Sequence, residues 1–169
     1  MVSERDLLER IARLPIDPWT GTAFRHTSVG RSPISGIGSR LQVGRWNPKD
    51  VFGAIYLAVP VETCLAELRR AATEQARGLA SILPRELHTI SVVGQNVINV
   101  AGLESQNTAG VNADELRSDV WAPCQTIAEA AHFLGLHRVA APSATGIGLV
   151  VQHLMTGYRL ANWSSYNRR

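Results

Sequence analysis

An arginine, a tryptophan and an asparagine leave a glycine-rich stretch together at Gly44-Arg45-Trp46-Asn47-Pro48. A tyrosine follows in the short apolar run Ile55-Tyr56-Leu57-Ala58, and a carboxylate ends the segment Glu62-Thr63-Cys64-Leu65-Ala66-Glu67. A guanidinium is a permanently charged planar fork suited to paired hydrogen bonds with phosphate or carboxylate. Loop, strand and helix could bring Arg45, Trp46, Tyr56 and Glu67 to one pocket. Each also has a purely structural reading: Trp46 as a loop anchor, Tyr56 as core, Glu67 as a helix-face charge. His26, beside Arg25, could border a site, and Ser143 stands in the turn-like Ala141-Pro142-Ser143-Ala144-Thr145-Gly146.

Other chemistries lack their local signatures. The Gly36-Ile37-Gly38 pair misses the third glycine of a dinucleotide fingerprint, since position 41 is leucine, and no phosphate-binding GxxxxGK[ST] occurs. His26, His88, His132, His137 and His153 share no metal-ligand spacing, so no metal site is expected. GxSxG is absent, which leaves Ser143 as a turn residue on spacing alone. The two cysteines, Cys64 and Cys124, form no CxxC pair and give a disulfide framework or zinc knuckle little to build on.

The elements that must position these residues read as follows. Leu7, Leu8, Ile11 and Leu14 share one face of a helix over about 4–14, capped by Ser3 and stopped before Pro15. Thr22–Thr27 reads as a short strand, and Ser28–Gly44 as a long glycine- and serine-rich loop of the kind that carries function. A strand over Gly53–Ala58 leads, through Pro60, to a helix reaching about Ala76. Val61, Cys64, Leu65, Leu68 and Ala72 form its buried face; Glu67 lies at the border, and Glu62, Arg69, Arg70 and Glu74 can point outward. Arg85–Val93 and Asn96–Val100 read as strands joined by a turn at Gly94-Gln95. A loop over 101–112 precedes a short helix near Ala113–Ser118 and a longer one over Pro123–Leu134 that ends at Gly135. Arg138–Ala141, Leu149–Gln152 and Tyr158–Trp163 complete the strands. The irregular mixture predicts an α+β fold with a largely antiparallel sheet.

The 169 residues suit a single domain with a core, being 45% hydrophobic and 18% charged. No apolar run reaches the length of a membrane span, and the charged start Met1-Val2-Ser3-Glu4-Arg5-Asp6 does not lead a signal peptide. These features and the two cysteines place the protein in a reducing cytoplasm. Net charge is only +3, and Lys49 is the sole lysine. The arginines are dispersed apart from Arg69-Arg70 and Arg168-Arg169, so no basic stripe for a duplex is evident.

Gly44-Arg45-Trp46-Asn47, Tyr56-Leu57-Ala58, Glu62-Thr63-Cys64-Leu65-Ala66-Glu67 and Pro142-Ser143, in that order, resemble the motifs of the RES domain family over about residues 22–155. Val43 replaces the first of the family's paired glycines, and Gly148–Leu154 lacks an asparagine often found there. The resemblance implies an ADP-ribosyltransferase-like fold, the toxin half of a bacterial toxin–antitoxin pair, and cleavage of NAD+ between nicotinamide and ribose with water or inorganic phosphate as acceptor. By position, Arg45, Tyr56, Glu67 and Ser143 match the family's functional residues, and Arg25 matches a further arginine. The residue types suit the chemistry. Positive charge moves onto the ribose as nicotinamide leaves, and a carboxylate at Glu67 would stabilise it. Arg25 and Arg45 would bind the pyrophosphate, and Tyr56 with Trp46 would flank the nicotinamide ring, with Asn47 beside them as a further binding residue. Ser143 would bond the ribose or carboxamide, or hold Glu67.

NAD+ is then substrate, phosphate a co-substrate, and no resident cofactor is implied. The expected partner is an antitoxin that covers the pocket and, in the absence of a helix-turn-helix here, supplies operator binding. A homodimer or a larger toxin–antitoxin assembly is compatible with this reading, and neither membrane nor direct DNA contact is expected. Two other functions stay open: transfer of ADP-ribose to a protein, and a non-catalytic module binding an anion or nucleic acid.

Overall fold

The structure, a computed structural model, describes residues 4–74, 78–155 and 163–166. Ser3, the expected helix cap, lies outside the described residues, as do 75–77 at the end of the predicted central helix and most of the predicted Tyr158–Trp163 strand.

The elements run α1 (Glu4–Ala12), β1 (Ile16–Ser28), α2 (Ile37–Leu41), β2 (Ala54–Val59), α3 (Val61–Glu74), α4 (Leu79–Ile82), β3 (Arg85–Asn99), α5 (Leu103–Ala109), α6 (Ala113–Arg117), α7 (Ala122–Phe133), β4 (Arg138–Pro142), β5 (Leu149–Leu154) and β6 (Trp163–Tyr166). The sheet runs β1-β2-β5-β4-β3, and β3 pairs with β1 as well, so five strands close on themselves; β6 adds to β3. Pairings are antiparallel except for β3 with β4. The mixed helix and strand architecture agrees with the α+β expectation. No helix among the described residues is long and apolar enough to cross a membrane.

Strand alternation divides the apolar residues between two cores. Ile55 and Leu57 of β2, Val151 of β5, Ala140 of β4, and Ile90 and Val92 of β3 pack together inside the closed sheet. Ala54 of β2, Val150 and Leu154 of β5, and Val139 and Ala141 of β4 face the other way, onto α1 and α7 through Ile11, Ile127 and Ala131.

On β3 the parity changes. Ile90 and Val92 point inward, and so does Val97, an odd number of residues further on. Gly94 supplies the change with a left-handed φ of 56°, and the register with β1 shifts between Trp19 and Gly21. The expected turn at Gly94-Gln95 is therefore a bulge within one long strand. It pairs with a β1 that is itself longer than the Thr22–Thr27 strand expected.

The segment expected to be a loop over 101–112 contains α5, whose end is closed by Gly110 at φ 78°. On α3, Leu65 is 41% exposed and Thr63 is buried in its place. Thr63 Oγ1 bonds the carbonyls of Val59 and Ile147, so a polar residue is satisfied where an apolar one was anticipated.

Candidate active site

β1 and β2 share one register pair, Phe24↔Ala58, whereas β2 follows β5 from Ala54 to Val59. A cavity of about 290 Å³ opens at this split, edged by Phe24, Arg25 and His26 from β1 and by Tyr56, Leu57 and Ala58 from β2. Cys64, Glu67 and Ala71 of α3 form another wall, with Arg45, Trp46 and Ala144 contributed by loops.

Glu67 reaches the cavity because it lies at the edge of the α3 face that buries Cys64, Leu68 and Ala72. The Ser143 hydroxyl donates to its Oε1 at 2.6 Å. Ser143 is fully buried and is itself a fixed donor. The Thr145 N–H donates to its Oγ at 3.1 Å and the Thr145 hydroxyl lies 2.6 Å away, so the one proton of Ser143 is directed at Glu67. Backbone bonds from Ser143 N–H to Gly148 O and from Gly146 N–H to Ser143 O close this turn.

The 44–47 loop is shaped around Tyr56. Its hydroxyl donates to Asn47 Oδ1 at 2.7 Å and accepts from the Trp46 N–H at 3.0 Å. Burial pushes its pKa above the ordinary tyrosine value. A Cβ at Gly44 would stand 2.5 Å from Asn47 Oδ1 and 2.6 Å from the Tyr56 hydroxyl, so only glycine fits. Trp46 is 1% exposed and, with the Gln152 amide turned to accept its ring N–H, forms part of the wall. Arg45 extends from this loop and donates through Nη1 to the carbonyls of Ser118 at 2.5 Å and Leu116 at 3.3 Å.

Arg25 donates to the carbonyls of Pro33 at 2.6 Å and Ser35 at 3.1 Å, and thereby ties down the glycine-rich loop while its side chain lines the cavity. Burial lowers its pKa to about 10, which leaves it cationic at neutral pH. Burial, with Arg85 and Arg25 nearby, lowers His26 to about 4 and keeps its imidazole neutral. Cys64 is pushed up to about 11 by burial, so its thiol stays protonated.

The structure thus brings Arg25, Arg45, Trp46, Tyr56 and Glu67 to one cleft, with Ser143 behind Glu67. Asn47 does not line it. That residue is fully buried, and its amide is used on the carbonyls of Ser39 and Gln42 and on Tyr56, so it clips the loop instead of facing a ligand. Arg70, expected to point outward, turns back over the 143–146 turn and donates to Ala144 O at 2.9 Å. The role of Arg70 escapes the sequence reading because Ala144 and Asp119 lie far away in the chain, and only its adjacency to Arg69 marks it. That of Thr145 escapes it although Ser143 is two residues away, because nothing in the turn sequence says which hydroxyl it bonds.

Known proteins share this arrangement of chain. The model of the RES domain family matches residues 10–152. Proteins named NAD(+) phosphorylase MbcT from Mycobacterium tuberculosis and Mycobacterium bovis are 35% identical over 150 residues, 88% of this chain and 81% of theirs. A chain in the crystal structure of the M. tuberculosis MbcT–MbcA toxin–antitoxin complex superposes with a TM-score of 0.88 at 29% identity, covering 99% of this chain and 92% of that one. The motifs of the cleft and a family match spanning most of the sequence lead to one conclusion: the chain belongs to the RES domain family.

Proposed function

We propose that this protein is the toxin of a toxin–antitoxin pair and that it destroys NAD+ in the cytoplasm by phosphorolysis of the nicotinamide–ribose bond. Membership of the RES family and the phosphorylase relatives support the reaction class, and the complex of the similar toxin supports an antitoxin partner; the partner's covering of the cleft is part of the proposal. The whole chain acts as one domain on an ADP-ribosyltransferase-like framework.

The observation that carries this reading is Glu67, a carboxylate on the wall of a cleft that also holds two arginines, fixed by a neutral hydroxyl donor. The bond between C1″ of the nicotinamide-bearing ribose and the pyridinium nitrogen breaks with its electron pair going to the nitrogen, so nicotinamide leaves neutral. Glu67 stabilises the positive charge that develops on the ribose. A phosphate oxygen then forms the new bond to that carbon and yields ADP-ribose 1″-phosphate.

Arg45 and Arg25 bind the pyrophosphate, while Tyr56 supplies the wall against which the nicotinamide rests, with the buried Trp46 backing it. Ser143 holds Glu67, since a fully buried hydroxyl has no face to offer the ribose. The cavity of about 290 Å³ is at the low end for ligand pockets, which run to roughly 1,000 Å³, so it takes the nicotinamide riboside end and leaves the adenosine at its mouth.

The test is incubation of the purified protein with NAD+, with and without inorganic phosphate, followed by mass analysis of products. Phosphate-dependent release of nicotinamide with ADP-ribose 1″-phosphate is expected. ADP-ribose attached to a protein would establish a transferase instead. Intact NAD+ together with salt-sensitive nucleic-acid binding would establish an anion-binding module.

A further inference from the structure

We infer that Arg70 is a positioning residue: one guanidinium clasps the wall that carries Glu67 to the loop that holds Arg45. Arg70 lies one turn beyond Glu67 on α3. Its Nη1 donates to Ala144 O at 2.9 Å, inside the turn that presents Ser143 to Glu67. Its Nη2 meets Asp119 Oδ1 at 2.5 Å, and its Nε meets Glu74 Oε1 at 2.7 Å. Asp119 directly follows Ser118, whose carbonyl accepts from Arg45. Three segments distant in sequence are thus joined through one planar group: α3, the 143–146 turn and the 118–120 loop.

The geometry requires a fork. Each contact uses a different nitrogen of the same plane, an arrangement a lysine ammonium cannot reproduce. The legs are unequal. Asp119 is 89% exposed, so its ion pair is screened and weak, whereas the Ala144 carbonyl sits over the cleft wall and fixes the turn. Loss of Asp119 should therefore loosen the Arg45 side alone and register as weaker NAD+ binding. Loss of Arg70 should also free the Ser143 turn and register in turnover.

The kinetic arm of the test rests on the proposed phosphorolysis; the exchange arm does not. Hydrogen exchange at the amides of Ser143, Thr145 and Gly146, which bond within the turn, is compared in wild type, Arg70→Ala, Arg70→Lys, Asp119→Asn and the neighbouring control Arg69→Ala. Arg70→Ala is expected to exchange about tenfold faster there with the rest of α3 unchanged, and Arg69→Ala to match wild type.

In NAD+ turnover, Arg70→Ala is expected to lower kcat about ten- to hundredfold. Asp119→Asn should raise KM by no more than about fivefold with kcat held. Added methylguanidine should restore Arg70→Ala, while Arg70→Lys stays impaired. Should Arg70→Ala fail to fold, the lysine variant carries the same readouts. Unchanged exchange in the turn, or accelerated exchange with wild-type kcat, overturns the inference. A wild-type protein that leaves NAD+ intact overturns the proposed function instead, and the exchange arm then decides alone whether Arg70 holds the turn.

Discussion

The assignment of Ser143 as a residue acting through Glu67 can be tested by a double-mutant cycle. Ser143→Ala removes the hydroxyl that donates to Glu67 at 2.6 Å and accepts from Thr145 N–H at 3.1 Å. A hydrogen bond to a charged group is worth about 1.5–3 kcal/mol, equivalent to roughly 10- to 150-fold in rate if all of it orients the carboxylate. Water entering the cleft can replace part of it, so the lower end is expected. Glu67→Gln keeps the shape and the bond from Ser143 but removes the charge, and should cost about 10²–10³ in kcat. If Ser143 works only by holding that charge, it has little left to hold once Glu67→Gln is in place. The double variant should then fall within about threefold of Glu67→Gln. Initial rates of nicotinamide release would be measured for the four proteins, with thermal unfolding confirming that each is folded. Multiplicative losses, with the double variant about tenfold or more below Glu67→Gln, would refute the argument and give Ser143 its own contact with substrate.

Arg45→Lys keeps the charge but loses the fork whose Nη1 meets Leu116 O and Ser118 O, so the KM for NAD+ should rise about tenfold, measured by initial rates over a substrate series. Gly44→Ala drives a methyl into Asn47 and the Tyr56 hydroxyl; a loss of about 1–3 kcal/mol in urea unfolding is expected, and unchanged stability would show that the loop can yield. His26 and His153 are each lowered to about 4, chiefly by burial, with nearby cations adding to it. Between pH 4 and 6.5 the unfolded chain binds more protons at these sites than the folded one. Stability is therefore full above about pH 6.5 and declines as pH falls toward about 4. Urea midpoints at about pH 7.5, 6 and 5 should descend in that order, and His26→Gln should flatten the descent; a level series would contradict the burial argument.

The parts of the molecule legible in the sequence are those whose cause is local. Tyr56 in a short apolar strand and Glu67 at the border of a helical face follow from spacing, and both stand at the cleft. Gly94 was equally visible, but a glycine at positive φ serves a reversal or a bulge alike. The choice between them lies in the long pairing with β1, which is a tertiary fact. Helix α5 carries little apolar periodicity and is held by a buried Gln106, whose amide bonds the carbonyls of Val100 and Ala101. Asn47 belongs to the same motif as Arg45 and Trp46, yet its task is set by partners at Ser39, Gln42 and Tyr56. Motif membership marked the neighbourhood, and only the fold assigns which of its residues meets the cleft.

The way the charges are held bears on how this cleft would act on a cation in the proposed reaction. Arg45 is held by the carbonyls of Leu116 and Ser118, and Arg25 by those of Pro33 and Ser35. Among the described residues no arginine is ion-paired to Glu67, whose named donor is the neutral Ser143 hydroxyl. Had the sequence placed a guanidinium against Glu67, the two charges would have satisfied each other, and neither would retain its full field for a substrate. Dipolar partners orient a charge without cancelling it. On the proposed reaction, the pyrophosphate would then meet cations while the ribose meets a carboxylate within one small cavity, and residues from separate elements would answer the opposite demands of the two ends of the dinucleotide.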